Sequence, residues 1–387
     1  MRNVRDPVHG VIRLRPVESA LLETLPLQRL RRVRQLGLTH YVFPGAEHSR
    51  FTHSLGACHV AGQLGEALAT AGWQGDLGRV RVAALLHDVG HPPFSHAGEQ
   101  GEPHERTSER LIRSGEIADV LAIHGMDPED VVRCFDARVD AVATGIVSGS
   151  LDADRMDYLL RDARMCGVSY GNYDLPQLVA SVVPAPETQL GGGGLAVRAA
   201  GLHAAEGLVL ARASMFLQVY FHRTRRLLDL LLEEVVPRWP SDLDAWLGWD
   251  DGRVLELLRE DPRPAARALR DRRALPACVA EFEVTADPAQ RAEAAALAGE
   301  LERALGQQPR VDSSARLVAF KPAGDIAVVD DAGCVRSVFT ASPVLRRMDP
   351  DIELRRIYVP REAAADARAV VERFRRQGAQ MRLFAGR

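Results

Sequence analysis

The chain has 387 residues, 46% of them apolar and 26% charged, enough to bury a large core and still carry an accessory region. Its 49 basic and 52 acidic residues leave a net charge of −3, which excludes the global basic excess of a general nucleic-acid or anionic-membrane binder. Among the basic residues only Lys321, in "AFKPAG", is a lysine, so phosphate-loop and protein-kinase readings, which need a lysine in a set context, fall away.

The amino terminus, "MRNVRDPVHG", lacks the apolar run of a secretory signal, and the most apolar stretch, Leu208 to Phe221, is cut by Arg212. A chain that stays in the cytoplasm and crosses no membrane is expected. Cys58, Cys134, Cys166, Cys278 and Cys334 lie at wide spacings without a CxxC pair, against a disulfide framework or a zinc ribbon. Up to about residue 236 apolar residues recur three and four apart, as in helices. Leu22, Leu25, Leu30, Val33 and Leu36 make one stripe, and Ala57, Val60, Leu64 and Leu68 a second. The only strands expected here flank "GGGG" at 191–194, before one long helix over 202–236. Those glycines formally match GxGxxA but lack the βαβ unit around them, so a turn is the better reading. Short helical pieces fill 237–310. From 311 onward "ARLVAF", "DIAVVDD", "VRSVFTAS" and "LRRIYVP" read as strands, and "REAAADARAVVERFRRQ" as a closing amphipathic helix. The expected organisation is mainly α, with a core over 1–236, a helical connection over 237–310 and a small α+β appendage over 311–387.

Histidines crowd the first third. Ten of the 12 precede residue 125, and His48, His53, His59, His87, His91, His96 and His104 fall within 57 residues, a density that points to a metal or an acid/base site. In "VRVAALLHDVGHPPFSH", Val80 to Leu86 is too apolar for a surface helix. It should be a core helix whose end delivers His87 and Asp88 together, with Gly90, Pro92 and Pro93 stopping it. Buried unpaired, the two would cost several kcal/mol, whereas a divalent cation satisfies both. A histidine hydrogen-bonded to an aspartate is the plainer alternative. His53 sits with Ala57, Val60 and Leu64 on the inward face of its helix, where a lone histidine is usually a satisfied core residue. In "SLDADRMDYLLRDARMCG", Met156, Leu159, Leu160 and Ala163 form a core stripe, while Asp154, Tyr158 and Asp162 recur at i, i+4 and i+8 beside it. That line reads either as a pocket wall or as a solvated acidic face. Together His53, His87, Asp88 and Asp154 offer two imidazoles and two carboxylates, a set suited to one octahedral cation with positions left for water and substrate.

The pattern resembles the H…HD…D ligands of the HD-domain phosphohydrolases. "DPVHG", "QRLRRVRQLG", "VFPGAEHSRFTHSLG", "HDVGHPPFSH", "HERTSERL" and "DADRMDYLLRD" are similar, in order, to blocks of the deoxynucleoside triphosphate triphosphohydrolase branch over about residues 3–236. The resemblance implies an HD-domain helical bundle with a divalent metal ion (Mn, Fe, Mg, Zn or Ni) held by His53, His87, Asp88 and Asp154. It implies hydrolysis of a dNTP to deoxynucleoside and tripolyphosphate. His91, His96 and His104 should then face the phosphates, His104 protonating the departing oxygen with Glu105 orienting it. Arg50 and Arg155 match triphosphate-binding positions; Gln35, Leu36, Tyr158 and Asp162 match positions around the sugar; Arg212 and Tyr220 match further pocket positions. The branch also implies a homo-oligomer.

Departures bear on regulation. No sterile-alpha-motif domain is expected before "DPVHG", which begins at residue 6, and of the counterparts of effector-contacting positions, Arg5, Glu23, Gln28 and Arg31, the acidic one is glutamate. A nucleotide effector is therefore less securely implied than the substrate, and "RLRRVR" at 29–34 equally suits a solvated helix face. Rival readings keep the metal and change the substrate, to a nucleotidase, a phosphodiesterase or a nuclease acting on single-stranded nucleic acid. A non-enzymatic nucleotide sensor is a further alternative.

Overall fold

The computed structural model describes residues 2–186, 194–284, 287–317, 325–348 and 351–385. In chain order its main elements begin with the hairpin β1 (Arg2–Asp6) and β2 (Gly10–Leu14), then α1 (Arg50–Thr70), α2 (Leu77–Leu86), α3 (His104–Arg113) and α4 (Ala153–Cys166). β3 (Val182–Pro184), β4 (Leu195–Arg198), α5 (Leu202–Met215), α6 (Arg223–Glu233) and α7 (Asp251–Glu260) follow. The remainder is β5 (Ala277–Glu283), α8 (Ala289–Leu305), β6 (Arg310–Leu317), β7 (Ala327–Val329), β8 (Val335–Ser337), β9 (Asp351–Val359) and α9 (Ala364–Ala385). The mainly helical class with a smaller α+β part is as expected.

The chain divides into two compact units, one of residues 1–219, 236–256 and 319–348, the other of 220–235, 257–318 and 349–387. In the first, α1 is buried nearly all round, with Phe51, Leu55, Ala57, Val60 and Leu64 inside. Such a helix must be covered on several sides, and it packs against α2 and α4. Asp76 caps α2 by accepting from the Gly78 and Arg79 amides at 2.7 and 3.1 Å, and every residue from Val80 to Leu86 is buried, as the sequence predicts. Asp152 caps α4, accepting from the Arg155 amide at 2.8 Å, and Gly167 ends it in the left-handed region; both are ordinary helix boundaries. β3 and β4 pair antiparallel, and β4 pairs parallel with β7, which pairs with β8.

The second unit is a three-stranded antiparallel sheet in the order β5-β9-β6. Phe282, Leu297, Leu301, Ile357, Val359, Ala367 and Val370 form its core, carried by β5, α8, β9 and α9.

Four expectations change. The hairpin β1–β2 lies where no strand was expected, with Ile12 and Leu14 turned into the core. The long helix over 202–236 is broken: α5 passes into a π-helical turn at Phe216–Tyr220, and α6 restarts after His222, whose imidazole accepts from the Thr224 amide. The helical stretch expected over 237–310 contains strand β5, and the strand expected at "VRSVFTAS" is strand only over Val335–Ser337, turning helical at Val338–Ala341. Local periodicity cannot distinguish such short pieces, whose state is set by tertiary pairing. Most of the glycine run at 191–194, and the end of "ARLVAF", lie outside the described residues.

Candidate metal centre and active site

His53 points inward from the first turns of α1, His87 and Asp88 stand at the carboxy-terminal end of α2, and Asp154 projects from the first turn of α4. His53 Nε2 is 3.3 Å from His87 Nε2, 3.1 Å from Asp154 Oδ1 and 3.6 Å from Asp88 Oδ2. His87 Nε2 is 3.4 Å from Asp88 Oδ1 and 3.6 Å from Asp154 Oδ1. The four residues expected as ligands are thus brought to one point.

The opposite ring nitrogens are already engaged. His53 Nδ1–H donates to Asp157 Oδ2 at 2.8 Å, and His87 Nδ1–H donates to the Ala84 carbonyl at 2.8 Å. Both imidazoles therefore present acceptor Nε2 atoms toward each other and toward two carboxylates, a repulsive arrangement that a proton or a cation must bridge. Burial alone would lower the His53 pKa, but hydrogen bonds to Asp154 and Asp157 raise it to about 10. The donor set fits a divalent cation, which would take the place of that proton.

A second histidine group adjoins the first. The His91 and His104 rings lie 3.6 Å apart, and His96 lies 4.9 and 5.2 Å from them. His91 Nδ1 is 3.1 Å and His104 Nε2 3.9 Å from Asp88 Oδ1, so one carboxylate adjoins both groups. Burial, reinforced by the charge of Arg50, pushes His91 well below the usual histidine range. It is neutral at neutral pH. Burial alone would raise the Asp88 pKa, but Arg50, His87 and His91 hold it well below the carboxylate range.

Arg50 is buried; it ion-pairs with Asp88 and its Nε donates to Ser95 Oγ at 2.8 Å. Arg155 is buried and bonds Asp152 Oδ2 at 2.8 Å. Asp162 accepts from His48 Nε2 at 2.7 Å, also buried. Gln35 and Leu36 are buried, and Gln35 Oε1 has no partner. Arg212 is buried above the Phe216 ring, and its charge is felt by Asp152 and Tyr158. Tyr220 is buried and belongs to the second unit. Of the effector-matched residues, Glu23 pairs with Arg2, Gln28 Oε1 accepts from Arg31 Nε at 2.9 Å, Arg31 stacks on Phe51 at 3.6 Å, and Arg5 is exposed.

Three supporting residues were not anticipated. Asp157, fully buried, accepts from His53, from His9 Nε2 at 2.6 Å and from Arg161 through two bonds of 2.8 Å; Arg161 also reaches Asp6 at 2.8 Å. Glu99 accepts from His104 Nδ1 at 3.0 Å and from His96 Nδ1 at 3.2 Å. His104 is therefore oriented first by Glu99, with Glu105, expected in that role, at 3.4 Å. The third, Asp251, accepts from the backbone amides of Phe94 and Arg34. The sequence signal for Asp157 was its i, i+4 spacing from Arg161, while its histidine partners lie far along the chain.

Comparison with known proteins matches the HD domain model at residues 50–159 and the HD associated region model at 185–372. An uncharacterized protein of Methanocaldococcus jannaschii is 35% identical over 237 residues, 61% of this chain and 49% of that protein. The Homo sapiens deoxynucleoside triphosphate triphosphohydrolase SAMHD1 is 32% identical over 222 residues, 46% of this chain and 35% of that protein. The chain thus spans about half or less of these curated relatives. The crystal structure of a hypothetical protein from Aquifex aeolicus superposes with a TM-score of 0.83 at 30% identity, covering 96% of this chain and 99% of that one. A Bacteroides thetaiotaomicron phosphohydrolase shares the fold, with a TM-score of 0.73 at 23% identity over 93% of this chain and 100% of that one.

Proposed function

The chain belongs to the HD-domain phosphohydrolase family and carries the HD-associated region, and we propose that it hydrolyses deoxynucleoside triphosphates to deoxynucleoside and tripolyphosphate. One observation carries the reading: a four-residue metal set and a three-histidine group that share Asp88. A phosphoryl group bound there would meet His91, His96 and His104 beside the residues that would hold the cation. The similarity to SAMHD1, whose name states this reaction, supports the substrate class.

When bound by His53, His87, Asp88 and Asp154, a divalent cation acidifies water and neutralises phosphoryl charge. The protein's own groups supply the rest. Arg50 and Arg155, which are permanently charged, hold the triphosphate oxygens. His104 gives a proton to the departing 5′ oxygen, and Glu99 keeps its Nε2 turned toward the reacting centre. His91, neutral, offers a hydrogen bond without competing for the cation's charge, and His96 takes the outer phosphate side. Tyr158 and Leu36 close the space at the sugar 2′ position, while Gln35 and Asp162 bond the 3′-hydroxyl. Arg212 is a further pocket residue on this reading, and subunits associate as a homo-oligomer.

Metal-loaded protein incubated with each dNTP, with products separated by anion exchange, tests this. Tripolyphosphate and deoxynucleoside in equal amounts are expected. Stepwise dNDP and dNMP would make the protein a nucleotidase, and cleavage of single-stranded DNA at similar efficiency would make it a nuclease. The matching NTPs should be cleaved about 10- to 200-fold more slowly, the scale of a single steric discrimination; equal rates for dGTP and GTP would remove Tyr158 and Leu36 from the sugar pocket.

A further inference from the structure

Phe94 and Ser95 both adopt left-handed backbone conformations, at φ 59° and 58°. Neither is glycine, and two in succession persist only where the surroundings over-determine them. Those surroundings are specific. The buried carboxylate of Asp251, the first residue of α7, accepts from the Phe94 amide at 2.7 Å and from the Arg34 amide at 3.0 Å. Ser95 Oγ donates to the Arg34 carbonyl at 2.6 Å and accepts from Arg50 Nε at 2.8 Å. Asp251, Phe94, Ser95 and Arg34 therefore close a ring of bonds whose outward connection is Arg50, the partner of Asp88. Gly37 lets the ring form, since a Cβ there would stand 2.9 Å from the Phe94 carbonyl oxygen.

The same stretch ties the other end of the turn. Arg29, fully buried, donates through Nε to the Trp249 carbonyl at 2.7 Å and through Nη1 to the His91 carbonyl at 2.8 Å, and it stacks on Trp246 at 3.8 Å. Residues 246–251 thus hold the segment 91–95 at both His91 and Phe94.

We propose that Asp251 is a positioning residue for phosphate binding: it fixes the strained Phe94–Ser95 turn so that Ser95 aims the Arg50 guanidinium. Within the turn it touches the Phe94 amide, it also holds the amide and, at 3.6 Å, the guanidinium of Arg34, and it acts on the site through Ser95 and Arg50. The functional arm of this inference rests on the phosphate reading of the site given above.

The test uses the full-length, metal-loaded chain as wild type and as Asp251→Ala, Asp251→Asn and Glu18→Gln. Glu18 is a buried control that bonds Arg15 and Arg81. Hydrogen exchange at the Phe94 and Ser95 amides reads the turn, calorimetry with inorganic tripolyphosphate reads the guanidinium, and metal analysis reads the ligands. Asp251→Ala should quicken exchange at the turn and weaken tripolyphosphate binding by about tenfold or more, the scale set by small misplacements of binding groups, at unchanged metal content. Asp251→Asn keeps an acceptor for the Phe94 amide and should stay within about threefold of wild type, one neutral hydrogen bond being worth little more. Glu18→Gln should lose thermal stability alone. Asp251→Ala protein with wild-type exchange and wild-type tripolyphosphate affinity overturns the proposal, as does an equal loss in Glu18→Gln. Should Asp251→Ala not fold, Ser95→Ala decides in its place: weakened tripolyphosphate binding is expected, and wild-type binding overturns the proposal. A wild-type protein that binds no tripolyphosphate sinks the phosphate reading instead, and the exchange measurement then decides the positioning role by itself.

Discussion

Asp157 receives four hydrogen bonds from three buried partners, His9, His53 and Arg161. Burial alone would raise its pKa, but Arg161, His53 and His9 hold it well below the carboxylate range. It decides which nitrogen of His53 is left for a cation, so Asp157→Asn, which cannot accept from all these donors, should weaken metal binding about 10- to 100-fold. Removing the charge opposite Arg161, which keeps Asp6 as its other partner, should also cost about 1–3 kcal/mol of stability. Metal titration and denaturant melts check the two effects, and an unchanged metal affinity would remove Asp157 from the centre. Three of the candidate ligands were legible because of their setting, His87 and Asp88 at the end of an apolar helix and Asp154 in a polar line beside a core stripe, while His53 gained its meaning only from them. Asp157 was not legible, because it lies on the buried side of α4, where sequence reading expects apolar residues and a carboxylate shows its purpose only through partners far along the chain. The same geometry has a pH consequence. The His53 pKa is raised from 6.5 to about 10, so its proton stabilises the cation-free protein fully below pH 6.5, and that contribution is lost as pH rises through about 10. A cation must displace this proton. Metal affinity should therefore climb from pH 6.5 to 8.5 with about one proton released per ion, read by calorimetry in buffers of different ionisation enthalpy. A flat profile would contradict it.

Among the elements, α1 meets α4 through a glycine. A Cβ on Gly56 would lie 1.8 Å from Asp157 Oδ1 and 2.3 Å from Arg161 Nη2, so the absence of a side chain there is what lets the carboxylate sit under His53. Gly56→Ala should destabilise the fold by about 1–3 kcal/mol, the usual cost of overpacking, and lower metal retention with it. A variant as stable and as metal-rich as wild type would show that the helices have slack at this crossing. α2 was readable as a core helix because its stretch from Val80 to Leu86 is apolar except for Arg81. The hairpin β1–β2 was not, because Ile12 and Leu14 are its only buried apolar residues and each strand has five residues, too few to separate a period of two from chance. Yet it serves the centre. Asp6 accepts from the Val8 and His9 amides at 2.8 and 2.9 Å and pairs with Arg161, which fixes the turn that presents His9 to Asp157. The "DPVHG" motif thus marks a support of the candidate metal centre.

For the whole molecule, the two-unit division escapes sequence reading because it follows pairings between distant segments. β4 at Leu195–Arg198 pairs with β7 at Ala327–Val329, which places 319–348 with the first unit, and no local periodicity encodes such a partnership. No described helix is long and apolar enough to cross a membrane. Charge is similarly local: a net −3 coexists with Arg50, Arg155, Arg161 and Arg212 buried in the first unit, each facing carboxylates or, on the proposed reading, phosphates. The four candidate ligands come from three elements, α1, the end of α2 and α4, and the unfolded chain does not hold them together. A cation that binds only the folded form stabilises by about 2.7 kcal/mol at 100 times its dissociation constant. Chelation should therefore lower the denaturant midpoint of the wild-type protein, and added Mn²⁺ should restore it with a dependence on concentration. His53→Ala removes the ligand around which the others gather, so its midpoint should respond to neither treatment. If instead the wild-type midpoint ignores chelator and Mn²⁺ while the protein still carries stoichiometric metal, the cation is bound elsewhere and the four-residue centre is not its site.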